Sequence, residues 1–86
     1  MKTVKLMVLD MELGAYVNKE YLASDVVEAG VSNVSNILGN QELSLRGANK
    51  LFNKAMMALH GKENLKTIQV NLGACGYAFR YELKAN

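Results

Sequence analysis

Five polar side chains with nucleic-acid-binding chemistry recur at helical spacing in the middle of the chain. At spacings of i, i+3, i+4, i+7 and i+8 they form one strip along a helix: Arg46, Asn49, Lys50, Asn53 and Lys54. Arginine and lysine pair with guanine and phosphate, and asparagine pairs with adenine in a major groove. No acidic residue interrupts the strip, whereas solvated helices usually mix both signs of charge. The strip predicts a nucleic-acid-facing helix, and a merely solvated polar face is the alternative interpretation.

The charges of the chain are distributed unevenly between its two halves. Residues 1–43 hold three basic and six acidic side chains, a net charge of −3, whereas residues 44–86 hold seven basic and two acidic ones, a net charge of +5. Such an asymmetry in a small domain indicates an electrostatic surface with a role in binding. We therefore expect a DNA- or RNA-binding module, for example a DNA-binding regulator, in which further cations add phosphate contacts to the helical strip: Lys62, Lys66 and Arg80.

A second candidate surface lies in the first predicted strand, residues 3–13, which is apolar on both sides. Val4, Leu6 and Val8 alternate with a second apolar row. The second row consists of Met7, Leu9 and Met11. It predicts a contact with a protein partner or a second copy, because methionines adapt to varied surfaces. The competing function is thus a protein-binding module, such as a small viral or mobile-element protein that inhibits a host factor. A homodimer and a monomer both remain open, and so does a role of the methionines as core filler.

The remaining pattern predicts three helices and a hairpin. A first helix is predicted from Asn18 to a stop at Gly30, and a second runs from a Ser32 cap to Leu38. Apolar residues at i, i+3 and i+4 predict a third helix over 45–60, with Ser44 as cap and Gly61 as stop. Alternation over 67–72 and 77–84 predicts a β-hairpin.

Together these elements predict a single α+β domain over residues 1–86, in the order β-α-α-α-β-β. The N-terminal strand is expected to join the hairpin in a three-stranded sheet packed against the helices. A helix pair, a basic helix and a hairpin also follow one another in winged-helix proteins, so a winged-helix-like arrangement is one form of this prediction.

One short segment is similar to the helix-turn-helix of lactose-repressor-type regulators. It comprises Ala29-Gly30-Val31-Ser32, then Val34-Ser35 and Leu38. That family has three residues between the two groups, whereas only Asn33 separates them here. A recognition helix beginning at Ser32 would be rotated by roughly 200° relative to the family pattern, and no functional residue is carried over.

Composition argues against several other classes of function. One cysteine, Cys75, cannot form an internal disulfide, and with one histidine, His60, we expect no metal site and no cofactor. No nucleophile is accompanied by a base, so we expect a protein that is not an enzyme. The chain contains no apolar run of membrane-spanning length and no cleavage signal, and we expect it in the cytoplasm.

Overall fold

The structure, a computed structural model, describes residues 2–10, 12–37 and 44–85, except for the side chains of residues 32–37 and 75. Within these ranges the chain forms an α+β fold in the order β-β-α-α-β-β. The elements are β1 (Thr3–Asp10), β2 (Ala15–Leu22), α1 (Ala23–Ile37), α2 (Leu45–His60), β3 (Leu65–Asn71) and β4 (Tyr77–Leu83). Short 3₁₀ turns at Lys62–Asn64 and Gly73–Cys75 precede β3 and β4.

The first helix begins later than predicted from Asn18, because residues 18–22 belong to β2 and α1 begins at Ala23. The side chain of Asp10 accepts hydrogen bonds from the backbone N–H groups of Glu12 and Leu13, which ends the first strand earlier than predicted. Gly14 then adopts a φ of 66°, a left-handed conformation that suits glycine. The chain reverses, and β2 pairs antiparallel with β1 along its whole length. This pairing with β1 overrides the helical signal of residues 18–22.

The predicted break at Gly30 is confirmed as a kink, but the predicted count of three helices is wrong, because the stretches on either side of Gly30 belong to one element. One element, α1, covers the region up to Ile37 and bends at Gly30, whose φ of 73° and ψ of 172° are not helical. The segment similar to a helix-turn-helix therefore lies within α1, and Leu38 lies outside the described residues.

The three-stranded sheet and the winged-helix-like arrangement are corrected too. β1 pairs with β2 and β3 pairs with β4, which gives two separate two-stranded sheets. Helix α2 contacts both hairpins, and its polar side chains bond to backbone groups of β1 and β4. These side chains occupy strand-edge groups that an additional strand would need, so the described strands remain in two sheets.

The core lies between the first hairpin and the two helices. Val4, Leu6 and Val8 point inward from β1, as strand alternation requires. They pack with buried residues of both helices: Ala23, Val26, Ala48, Leu51 and Ala55. The second hairpin is attached mainly through contacts between β4 and α2. The molecule is thin, 46 × 35 × 17 Å, so several large apolar side chains remain at its surface.

Tyr21 provides a first testable prediction, because its buried hydroxyl has no hydrogen-bond partner among the described residues. Burial raises the pKa of Tyr21 above its ordinary value of about 10. Tyr21→Phe removes the unsatisfied group, and we expect the free energy of unfolding at pH 7 to stay constant or rise by up to about 1 kcal/mol.

The same shift sets a pH dependence for Tyr21. The unfolded chain releases the Tyr21 proton near pH 10 and the folded chain only at higher pH. The contribution of Tyr21 ionisation to the free energy of unfolding is therefore fully present below pH 10 and is lost as the pH rises above it. We expect the Tyr21→Phe variant to lose less stability than the parent protein between pH 9 and about 11, measured by urea denaturation. A loss of more than about 1 kcal/mol at pH 7 would show that the hydroxyl has a partner.

None of the described helices is long and apolar enough to cross a membrane.

Candidate nucleic-acid interface

Helix α2 positions most of the predicted binding residues. Its predicted bounds are confirmed: the Ser44 hydroxyl accepts a hydrogen bond from Gly47 N at 3.0 Å, and Gly61 N donates to Met57 O at the other end. Leu51 and Ala55 are fully buried against the core. Burial of this stripe fixes the rotation of the helix and turns the polar strip towards β4 and solvent.

The two asparagines of the strip bind the second hairpin of the same chain. Both Asn49 Nδ2 and Asn53 Nδ2 donate to the carbonyl oxygen of Phe79 at 2.9 Å. Asn53 Oδ1 in turn accepts from Tyr81 N at 2.8 Å. These groups lie on the edge of β4 that does not pair with β3, so the asparagines hold this edge as a further strand would. Their amides are thereby engaged within the fold rather than presented to a partner.

A groove of about 480 Å³ runs along the outer side of this contact. Arg46, Lys50 and Lys54 line its helical wall, while Tyr81 belongs to β4. The Lys54 ammonium donates to the carbonyl oxygen of Lys5 at 3.2 Å, whereas Lys50 makes no hydrogen bond or ion pair among the described residues. The helix and the strand thus form the two walls of a channel with positive charge on one side.

A second groove, of about 520 Å³, adjoins the first, since Met57 and Tyr81 line both. It carries Lys62, Lys66 and Lys84, the last of which donates from Nζ to the carbonyl oxygen of Glu63 at 3.0 Å. We call the two together the basic groove. Six cationic side chains and no carboxylate are among the described residues that line it. This arrangement suits an extended anionic ligand.

No protein-family model matches this chain, and no curated protein or solved structure is significantly similar to it.

Arg80 lies apart from the other predicted cations. Its Nε donates to Asn49 Oδ1 at 2.8 Å, and its guanidinium lies 6.0 Å from the centre of the Phe52 ring. It lines a third, largely apolar groove of about 460 Å³ together with Glu82. The structure thus brings Arg46, Lys50, Lys54, Lys62 and Lys66 together and leaves Arg80 out of the basic groove.

The predicted protein-interface residues lie on the opposite hairpin. Met7 is 59% exposed and Leu9 is 39% exposed on the outer face of β1, and Met11 lies outside the described residues. Tyr16 of β2, directly opposite Leu9 and 68% exposed, extends this apolar face. The sequence does not identify Tyr16 as part of this face, because its pattern predicts a loop and then a helix where the structure has β2.

Sequence analysis did not identify the exposed aromatic row of β4, of which Tyr81 also lines the basic groove. The alternation of Tyr77, Phe79 and Tyr81 along β4 predicts that they share one face of the strand. It does not predict whether that face is buried or exposed to solvent. Tyr77 and Phe79 are each 64% exposed. Only the packing of α2 against the edge of β4, instead of against its face, leaves these rings uncovered.

Proposed function

We propose that this protein is a small nucleic-acid-binding module that contacts the phosphate backbone through the basic groove. The observation that carries this proposal is the set of six cations without a carboxylate along the two adjoining grooves. Neutralising a row of phosphates releases condensed counterions, which is the main source of sequence-independent affinity. We propose a binding role and not a catalytic one.

The arrangement favours contacts to the backbone over the reading of base pairs by α2. A recognition helix presents side-chain amides to base edges. Here Asn49 is only 4% exposed, and both it and Asn53 bond to β4. The cations on this side of α2 are Arg46, Lys50 and Lys54, and cationic side chains suit phosphates. We therefore propose binding with little sequence preference.

The acidic side chains of the other half contribute to the orientation of the ligand. Glu20 lies beside Lys5 on the first hairpin, with Lys5 Nζ 3.9 Å from a Glu20 carboxylate oxygen, while Asp25 lies in the first turn of α1. Opposite potentials on two parts of a small domain steer an anion towards the basic part.

Salt dependence tests this proposal. We expect a fluorescently labelled oligonucleotide to bind with a logarithm of affinity that falls linearly with the logarithm of salt concentration. With about 0.7 to 0.9 counterions released per phosphate, engagement of most of the groove gives a slope of magnitude about 3 to 5. Fluorescence anisotropy over a series of salt concentrations measures this slope. Absence of binding to both DNA and RNA at low salt would refute the proposal.

The competing candidate is a protein-binding module that uses the outer face of the first hairpin. The exposure of Met7, Leu9 and Tyr16 on one face favours it, because exposed apolar patches often mark protein contacts. Leu9→Asp leaves the basic groove unchanged and should affect only this second activity. The mass of the protein in solution, measured for parent and variant, tests whether this face joins two copies.

A further inference from the structure

The aromatic face of β4 is unusually open for three large rings in so small a domain. Alternation places Tyr77, Phe79 and Tyr81 on one side of the strand, and the first two are each 64% exposed. Aromatic rings of this size normally contribute their buried area to a core. The hydrophobic core of this protein, which contains Leu51 and Val26, lies beneath the first hairpin and does not include these rings. A ligand that covers flat rings would suit this face.

The strand that carries these rings makes hydrogen bonds on both of its edges. The Phe79 carbonyl oxygen accepts two asparagine hydrogen bonds, and Tyr81 N donates a third. On the other edge, β3 pairs with β4 from end to end. Hydrogen bonds on both edges thus restrain the strand while Tyr77 and Phe79 stay exposed, so we expect little conformational entropy to be lost when a ligand stacks there.

Positive charge accompanies the rings along the strand. A Cβ placed on Gly76, next to Tyr77, would lie 3.9 Å from Arg46 Nη2, which puts the guanidinium near the start of β4. Tyr81 itself lines both parts of the basic groove, the first together with Lys50 and the second together with Lys84. A ligand that stacks on the rings would thus have cations near both ends of the row.

The spacing of the rings distinguishes single from double strands. Neighbouring rings at i and i+2 on a strand are about 7 Å apart, about twice the 3.4 Å between successive nucleotides in a duplex. Bases inside a duplex also have both faces covered by their neighbours, whereas unpaired bases can stack on aromatic side chains. The face therefore fits bases of an extended, unpaired strand.

We propose that the ligand of the basic groove is single-stranded nucleic acid, with successive bases stacked on Tyr77, Phe79 and Tyr81 and phosphates beside Arg46 and Lys50. This inference rests on the proposed function and specifies its ligand. The chemistry is shared by DNA and RNA, and binding to each form separates the two.

The test compares single strands and duplexes of the same sequence, about 12 nucleotides long, as DNA and as RNA. Fluorescence anisotropy is expected to show at least about tenfold tighter binding of one or both single strands. Phe79→Leu is expected to weaken single-strand binding about tenfold, while Phe79→Tyr, which retains a ring, has little effect. Tyr16→Leu is the matched control, since it removes an equally exposed ring from the other hairpin.

A tryptophan introduced at the same position gives a direct readout of stacking. The chain contains no tryptophan, so Phe79→Trp supplies a single reporter whose fluorescence should be quenched on addition of the single strand. Binding of neither form would refute the proposed function itself. Equal binding of single strand and duplex, with no loss in Phe79→Leu and no quenching in Phe79→Trp, would leave the proposed function standing and overturn this inference.

Discussion

Reversing two lysines of the basic groove, Lys50→Glu with Lys66→Glu, is expected to weaken nucleic-acid binding at least about 100-fold, because each charge-assisted contact to an anion contributes roughly 1.5–3 kcal/mol. Lys50 lines one part of the groove and Lys66 lines the other, and both side chains are exposed. The reversed charges also repel phosphates, so the salt slope should fall by about 2. Anisotropy titrations at several salt concentrations measure both quantities.

The matched control reverses two lysines of the first hairpin, Lys2→Glu with Lys5→Glu. Both double variants change the net charge of the chain from +2 to −2. Lys5 makes one exposed ion pair with Glu20, and the loss of such a pair costs at most about 1 kcal/mol. We expect the control to bind nearly as tightly as the parent protein. An equal loss in both variants would show that net charge, and not the groove, determines affinity.

The second large effect is expected at the contact between α2 and β4. Asn49→Ala removes the hydrogen bond to the Phe79 carbonyl oxygen and leaves Arg80 Nε without its 2.8 Å acceptor. Because Asn49 is only 4% exposed, water cannot easily replace these bonds, and we expect the free energy of unfolding to fall by about 2–3 kcal/mol. Chemical denaturation measures the loss. Alanine favours a helix over asparagine by up to about 0.7 kcal/mol, so the measured value underestimates the contribution of the contact.

Asn18→Ala serves as the control for this substitution. Asn18 lies on an exposed position of β2, opposite Met7, and its side chain makes no hydrogen bond among the described residues. We expect a change within about 0.5 kcal/mol. If Asn49→Ala were equally mild, the asparagine contact would not hold the second hairpin, and the rigidity assigned to the aromatic face would lose its basis.

These two predictions are linked through the same helix. One side of α2 buries Leu51 in the core. Asn49 and Asn53 form the contact with β4, which we call the seam, and Lys50 lies beyond the seam in the basic groove. Weakening the seam should therefore also reduce nucleic-acid affinity, through loss of alignment between the cations of the helix and the rings of the strand. By contrast, Lys50→Glu with Lys66→Glu should lower nucleic-acid affinity without lowering the free energy of unfolding.

Local signals were sufficient for the second half of the chain. The apolar spacing over residues 45–60, the Ser44 hydroxyl and Gly61 lie within a few residues of one another, and helix α2 has the predicted bounds. The alternation that predicted the second hairpin is equally local, and β3 and β4 lie within about two residues of the predicted strands. The clustering of cations in this half could likewise be inferred from composition.

The sheet arrangement and the roles of single polar residues depend on contacts between elements, which the pattern within one segment does not report. Whether residues 15–22 form a strand is decided by pairing with β1, which local propensity does not report. An asparagine on a polar helical strip is chemically suited to a base or to a strand edge, and only the position of β4 assigns Asn49 and Asn53 to the latter. Strand alternation turns Arg80 to the face of β4 away from the groove. Phe79 stays exposed because hydrogen bonds at a strand edge fix the strand without covering its face.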